Sequence, residues 1–131
     1  MMLVTEIDRA SIEKLVRTFY AKILKDDLLS PFFIRALGDD LKNDKWYEHL
    51  KTLDNFWLGL MIGEGRYMGD PLLPHFFLGE LSPELFDRWI ALFRQTAEEI
   101  YEHNTALKFY GKAKGLAKRF MTDLEIGYEE D

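Results

Sequence analysis

His49, His75 and His103 are the only imidazoles in a chain that has no cysteine. Disulfide frameworks, thiolate zinc sites, iron–sulfur clusters and thioether attachment of a prosthetic group are therefore excluded. A tightly held metal must draw on histidine and carboxylates. Neutral imidazole suits that task, because one ring nitrogen binds metal while the other is fixed by a hydrogen bond. Position alone leaves each histidine a plainer role. His49 stands on an apolar helix face, where a core histidine needs polar partners. His75 follows Pro74 and suits a loop or a helix start, and His103 is expected at a helix C-terminus, complementing the dipole. There is no Ser-His-Asp arrangement and no phosphate loop. Gly63-Glu64-Gly65 lacks both a preceding strand and a third glycine, which sets those enzyme classes aside.

The elements that must position these residues are helices. Between Asp8 and Lys25, Ile12, Leu15, Val16, Phe19, Ile23 and Leu24 recur at steps of three and four, with Tyr20 beside the stripe. Ser30-Pro31 predicts a serine N-cap and a proline at the first helical position, opening a short helix that carries Phe32 and Phe33. Gly38-Asp39-Asp40 ends it. A long helix starts near Asn43 or Asp44 and turns Trp46, His49, Leu50, Leu53, Phe56, Trp57, Leu60 and Met61 to one face. Gly63 to Pro71 reads as a loop. Any helix around His75 is short, starting near Pro74 and stopping at Gly79. Ser82-Pro83-Glu84 repeats the start signature for a helix carrying Phe86, Trp89, Ile90, Phe93, Ala97, Ile100 and Tyr101. A last helix runs from about Asn104. No stretch alternates like a strand, so the fold class is all-α, one domain over 1–131 with an acidic tail frayed from about 125.

Seventeen basic residues against 23 acidic ones give a net charge of −6, which argues against nucleic-acid binding as the main activity. Lys108, Lys112, Lys114, Lys118 and Arg119 form an acid-free stretch that reads as a solvated helix face. The N-terminus has neither a secretory signal nor a membrane-spanning run, so a cytoplasmic location is expected and no membrane partner. Ten Phe, six Tyr and three Trp suit either a dense core or a pocket for a flat apolar ligand.

A haem site asks for a histidine on one side of a flat apolar slot and hydrogen-bond donors on the other, and this chain offers both. Several motifs then fall in one order. Phe19-Tyr20, Pro31-Phe32-Phe33, Trp46-Tyr47-Glu48-His49 with Asn55-Phe56-Trp57, Gly63 to Pro71 with His75 four residues later, and Arg88-Trp89-Ile90-Ala91-Leu92-Phe93 together resemble a group III truncated haemoglobin from about Ile7 to Met121. The absence of any Gly-Gly pair, together with a distal histidine, favours group III over groups I and II. Pro74 directly before His75 departs from the family pattern.

The resemblance implies a truncated globin fold, a two-over-two helical sandwich around haem b (iron protoporphyrin IX). It implies His75 as proximal iron ligand, with Tyr20, His49 and Trp89 on the distal side. Phe19, Ile23, Phe33, Leu53, Phe56, Trp57, Tyr67, Met68, Leu72 and Phe93 would line the pocket, and Arg66, Tyr67 and Lys45 are candidates for the propionates. O2, CO and NO are the implied ligands, with a reductase to recycle ferric iron. NO dioxygenation or peroxidase-like reactivity are the catalytic alternatives to simple ligand handling. The residues themselves also admit a cofactor-free helical interaction module whose aromatics are only core.

Overall fold

The computed structural model describes residues 3–63 and 83–123, and within them the chain forms five helices and no sheet. They are α1 (Arg9–Ile23), α2 (Ser30–Leu37), α3 (Asp44–Ile62), α4 (Pro83–Ile100) and α5 (His103–Asp123). The expected short helix around His75 and the expected frayed tail lie outside the described residues.

Helix α1 starts where a reciprocal cap satisfies its first donors. The Asp8 carboxylate accepts the Ser11 N–H at 2.8 Å, and the Ser11 hydroxyl accepts the Asp8 N–H at 3.1 Å. Its buried face is the expected stripe without Leu24, the half-buried C-cap residue, and with Tyr20 included: Ile12, Leu15, Val16, Phe19, Tyr20 and Ile23.

Helix α2 starts one residue earlier than the serine N-cap would place it. Leu29 is the cap residue and makes no side-chain capping bond. The cause is Asp26: its carboxylate accepts the Leu29 N–H at 3.0 Å, and its carbonyl accepts the Ser30 N–H at 2.9 Å. Ser30 is thereby drawn into the helix, and Pro31 still falls where its missing N–H costs nothing.

Gly38 closes α2 at φ 90°, and a side chain there would meet the Asn43 amide at 2.8 Å. That amide donates to the Leu37 carbonyl at 2.8 Å, while the Asn43 side-chain oxygen accepts the Trp46 N–H at 2.8 Å. One side chain thus ends α2 and caps α3. Gly63, left-handed at φ 72°, stops α3.

His103 opens α5 rather than closing α4, which overturns its expected role at a helix C-terminus. The break comes from the N-terminal segment. Val4 donates to the Ile100 carbonyl at 3.0 Å and accepts from Glu102 N–H at 2.9 Å, forming a parallel bridge with Tyr101. Those backbone groups are no longer free to continue the helix. His103 therefore lies at the positive end of a helix dipole.

Helix α1 packs against both α3 and α4, and α4 packs on α5. The three helices that carry Tyr20, His49 and Trp89 therefore meet around α1.

Candidate functional site

The site grows from the C-terminal half of α1. Phe19 and Tyr20 are 1% and 4% exposed, so both neighbouring side chains are committed to the interior. Phe19 meets Phe93 edge-on at 5.2 Å and Trp89 at 5.6 Å. Tyr20 faces the other way, with its ring 5.6 Å from Phe33, 5.6 Å from Trp46 and 5.7 Å from His49. Such edge-on pairs add to the burial of the rings themselves.

The Tyr20 hydroxyl is the polar centre of this cage. Burial pushes its pKa above the ordinary tyrosine value, and a side-chain hydrogen bond from Trp89 offsets only part of that rise. The group therefore keeps its proton at any physiological pH. Indole can only donate, whereas a phenol both donates and accepts. Any bond between the two therefore runs from Trp89 to the Tyr20 oxygen, which would leave the Tyr20 proton to a further acceptor.

His49 lies on α3 with its Nε2 buried and its ring edge-on to Tyr20 at 82° and to Trp46 at 75°. Trp46 is fully buried, and its indole donates to the Gly38 carbonyl at 2.7 Å. That bond locks the ring against which Phe33 stacks at 6.2 Å. The sequence reading counted Trp46 only as part of an apolar stripe. Its signal was the spacing of three to His49, which puts both on one face.

One turn beyond His49, Leu53 and then Phe56 are partly buried against the core, and Trp57 stacks on Phe93 at 5.0 Å. Ile23, Phe33 and Phe93 are buried in the same core cluster, and Trp89 is packed against it while stacking on Phe93 at 5.7 Å. Phe19, Tyr20, Ile23, Phe33, His49, Leu53, Phe56, Trp57, Trp89 and Phe93 are thus gathered about the contacts of α1 with α3 and α4. His75, Tyr67, Met68, Leu72 and Arg66 lie outside the described residues. Lys45 is exposed on the first turn of α3.

An ion pair between a buried carboxylate and a half-exposed guanidinium, which the sequence reading missed, supports the cage from behind. The Arg88 guanidinium, next in sequence to Trp89, contacts Asp26 Oδ1 through Nε at 2.7 Å and Nη2 at 2.6 Å. The other carboxylate oxygen accepts the N–H groups of Leu28 and Leu29. Burial raises the Asp26 pKa, but Arg88 and the two backbone donors outweigh it and hold the carboxyl below its usual range.

The donor set decides what could occupy such a cage. Among the described residues no group of three or more His, Cys, Asp or Glu could hold a metal ion. A hydroxyl, an indole N–H and an imidazole set among aromatic rings suit a metal that arrives inside a flat organic ring and needs one axial protein ligand. The described residues fit a haem.

No protein-family model matches the chain. It is 35% identical over 118 residues to "Group 3 truncated hemoglobin ctb" of Campylobacter jejuni, covering 90% of this chain and 91% of that protein. The crystal structure of a group III truncated hemoglobin from Campylobacter jejuni superimposes with a TM-score of 0.85 at 34% identity, covering 98% of this chain and 97% of that one. The expected all-α fold is therefore shared over nearly the whole of both chains.

Proposed function

The chain belongs to the group 3 truncated haemoglobins, and from that premise we propose that it is a haem-binding globin that reversibly binds O2, CO and NO. Haem b, retained without covalent links in a chain lacking cysteine, would be held by His75 and would supply an iron able to take up a diatomic gas. His75 would use one imidazole nitrogen as ligand and donate through the other.

The observation that carries the reading is the buried Tyr20 side chain, set among the rings of Phe33, Trp46 and His49 with its hydroxyl kept protonated by burial. Its proton lies in a cage of rings, where a hydrogen bond is worth more than in water. Tyr20 is the direct donor to a gas ligand that draws electron density, and Trp89 orients it. His49 faces the same hydroxyl and lines the ligand's approach. Phe33, Trp46 and Phe93 exclude water. Such a pocket favours retention of O2 over quick release, which suits chemistry on the ligand better than bulk transport.

The test is uptake of haemin by the purified chain. We expect an intense Soret band that shifts on reduction and again with CO, and full removal of the pigment by acid-organic extraction. A colourless chain that takes up no haemin would overturn the proposal, and pigment that stays on the polypeptide would overturn noncovalent haem b.

A further inference from the structure

Five rings run in unbroken contact from the distal cage to the C-terminal end of α4. Trp89 stacks on Phe93 at 5.7 Å and 9°, and Phe93 stacks on Trp57 of α3 at 5.0 Å and 16°, so one phenyl links two indoles. Trp57 then meets Phe109 of α5 at 5.8 Å, and Phe109 stacks on Tyr101 at 4.7 Å and 24°. Tyr101 is the residue after α4, at the bridge made by Val4. Indole and phenol give up an electron far more readily than phenyl does. Trp89, Trp57 and Tyr101 are therefore stations for charge, and Phe93 and Phe109 are the single rings between them. Leucine or a further phenylalanine would fill the same core with no polar atom to satisfy.

The far station also has an outlet for a proton. The Tyr101 side chain is fully buried, and its hydroxyl donates to Ser11 Oγ at 2.7 Å. Burial pushes its pKa up to about 12 against the Ser11 contact, and the nearby Asp8 charge adds to the rise. The phenol therefore keeps its proton at neutral pH, and it becomes a strong acid only once an electron is removed. Ser11 Oγ is bonded to the Asp8 backbone, and the exposed Asp8 carboxylate accepts the Ser11 N–H at 2.8 Å. A proton leaving Tyr101 thus has a route of two residues to the surface.

We propose that this line of rings carries an oxidising equivalent out of the distal cage to Tyr101. The oxidant is hydrogen peroxide acting at bound haem, and in that respect the proposal rests on the haem reading above. The O–O bond breaks and two water molecules form, which takes two electrons and two protons. Haem gives up one electron, and the Trp89 indole gives up the other. Trp89 is refilled from Trp57, and Trp57 from Tyr101, which is left as a neutral tyrosyl radical. The phenol proton passes to the Ser11 hydroxyl as Ser11 hands its own to the Asp8 carboxylate, and solvent supplies the protons for water formation. Tyr20 and Trp89, which the ligand needs intact, are thereby spared.

Freeze-quenched electron paramagnetic resonance of the haem-loaded chain after hydrogen peroxide should show a tyrosyl radical. Tyr101→Phe should lose it and leave the unpaired electron on an indole. A tyrosyl signal that persists in Tyr101→Phe, or that is lost instead in Tyr20→Phe, would overturn the proposal. Transfer along the line is read without haem by pulse radiolysis of the full chain in azide, whose radical oxidises indole in preference to phenol. Indolyl absorbance should decay as tyrosyl absorbance rises, at a rate independent of protein concentration. The rise should be slower in heavy water, because the Tyr101 proton moves with the electron. Trp57→Phe, which keeps a ring in the stack, should remove most of that rise, whereas Tyr47→Phe with Tyr110→Phe should leave it unchanged. A rise that survives Trp57→Phe, or that is equally fast in heavy water, would overturn the line of transfer whether or not haemin is taken up. Failure of haemin uptake alone would count against the proposed function.

Discussion

The Trp89 indole of α4 bears on the Tyr20 hydroxyl of α1 and can act on it only as a donor, so the two polar groups stand in series rather than side by side. A donor whose lone pair is already engaged has fewer orientations to lose when it binds a ligand. The approach of Trp89 to Tyr20 is thus a preorganising device as much as a packing one.

That relationship sets the expected order of two substitutions. Tyr20→Phe removes the direct donor to a charged ligand, a bond of roughly 1.5 to 3 kcal/mol, and should speed O2 release about ten- to a hundredfold. Trp89→Phe removes only the orientation and should speed it less. The double change should be close to Tyr20→Phe alone, because both act through one proton. CO, which draws less charge, should respond weakly. Stopped-flow displacement of O2 by CO measures all three, and additive effects would separate the two residues.

The Asp26–Arg88 pair fixes the start of α4 to the turn before α2. Asp26→Asn should cost about 1 to 3 kcal/mol in urea unfolding, the half-exposed guanidinium limiting the loss. Because the folded carboxyl titrates below its unfolded value, its contribution is complete above the unfolded carboxylate pKa. It is lost as the pH falls through the lower folded one. The wild type should lose this part of its stability in acid and the variant should not. O2 release should also quicken in Asp26→Asn if the turn holds Trp89 in place.

Asp54 has the opposite sign. It is buried on α3, and burial raises its pKa more than the Arg17 contact at 2.9 Å lowers it. The folded state therefore carries this charge at a cost above the folded pKa, and relief comes as the pH falls toward the unfolded value. Asp54→Asn should be neutral or stabilising at pH 7, whereas Arg17→Met should destabilise by stranding a buried carboxylate. A loss on Asp54→Asn larger than that on Arg17→Met would show the reverse balance.

The sequence made the apolar faces legible because periodicity is local. Phe19, Tyr20 and Ile23, then His49, Leu53 and Trp57, are each placed by their own helix, and the structure gathers them about α1. What escaped depends on distant partners. Arg88 and Asp26 stand 62 residues apart, and neither residue's surroundings in sequence announce the other. The same carboxylate moved the start of α2 past a serine that looks like its cap. Val4, reaching across to Ile100 and Glu102, likewise turned His103 from the end of one helix into the beginning of the next.

His75 carries the largest expected effect of any single residue, since it alone is assigned to the iron. Changes that only reorient a metal's histidine cost about 10- to 100-fold in affinity, so His75→Ala should weaken haem retention at least that much. It should also abolish the spectrum of histidine-ligated ferrous protein. Added imidazole should restore part of both by occupying the vacated position, a rescue that a folding defect would not permit. His103→Ala should leave retention and spectrum unchanged, its exposed place at the start of α5 having no bearing on the cage. His49→Ala should alter ligand rates while keeping the CO spectrum, because its ring contacts Tyr20, the proposed ligand donor. Should His75→Ala keep the wild-type CO spectrum while His49→Ala loses it, the two faces of the pocket are reversed.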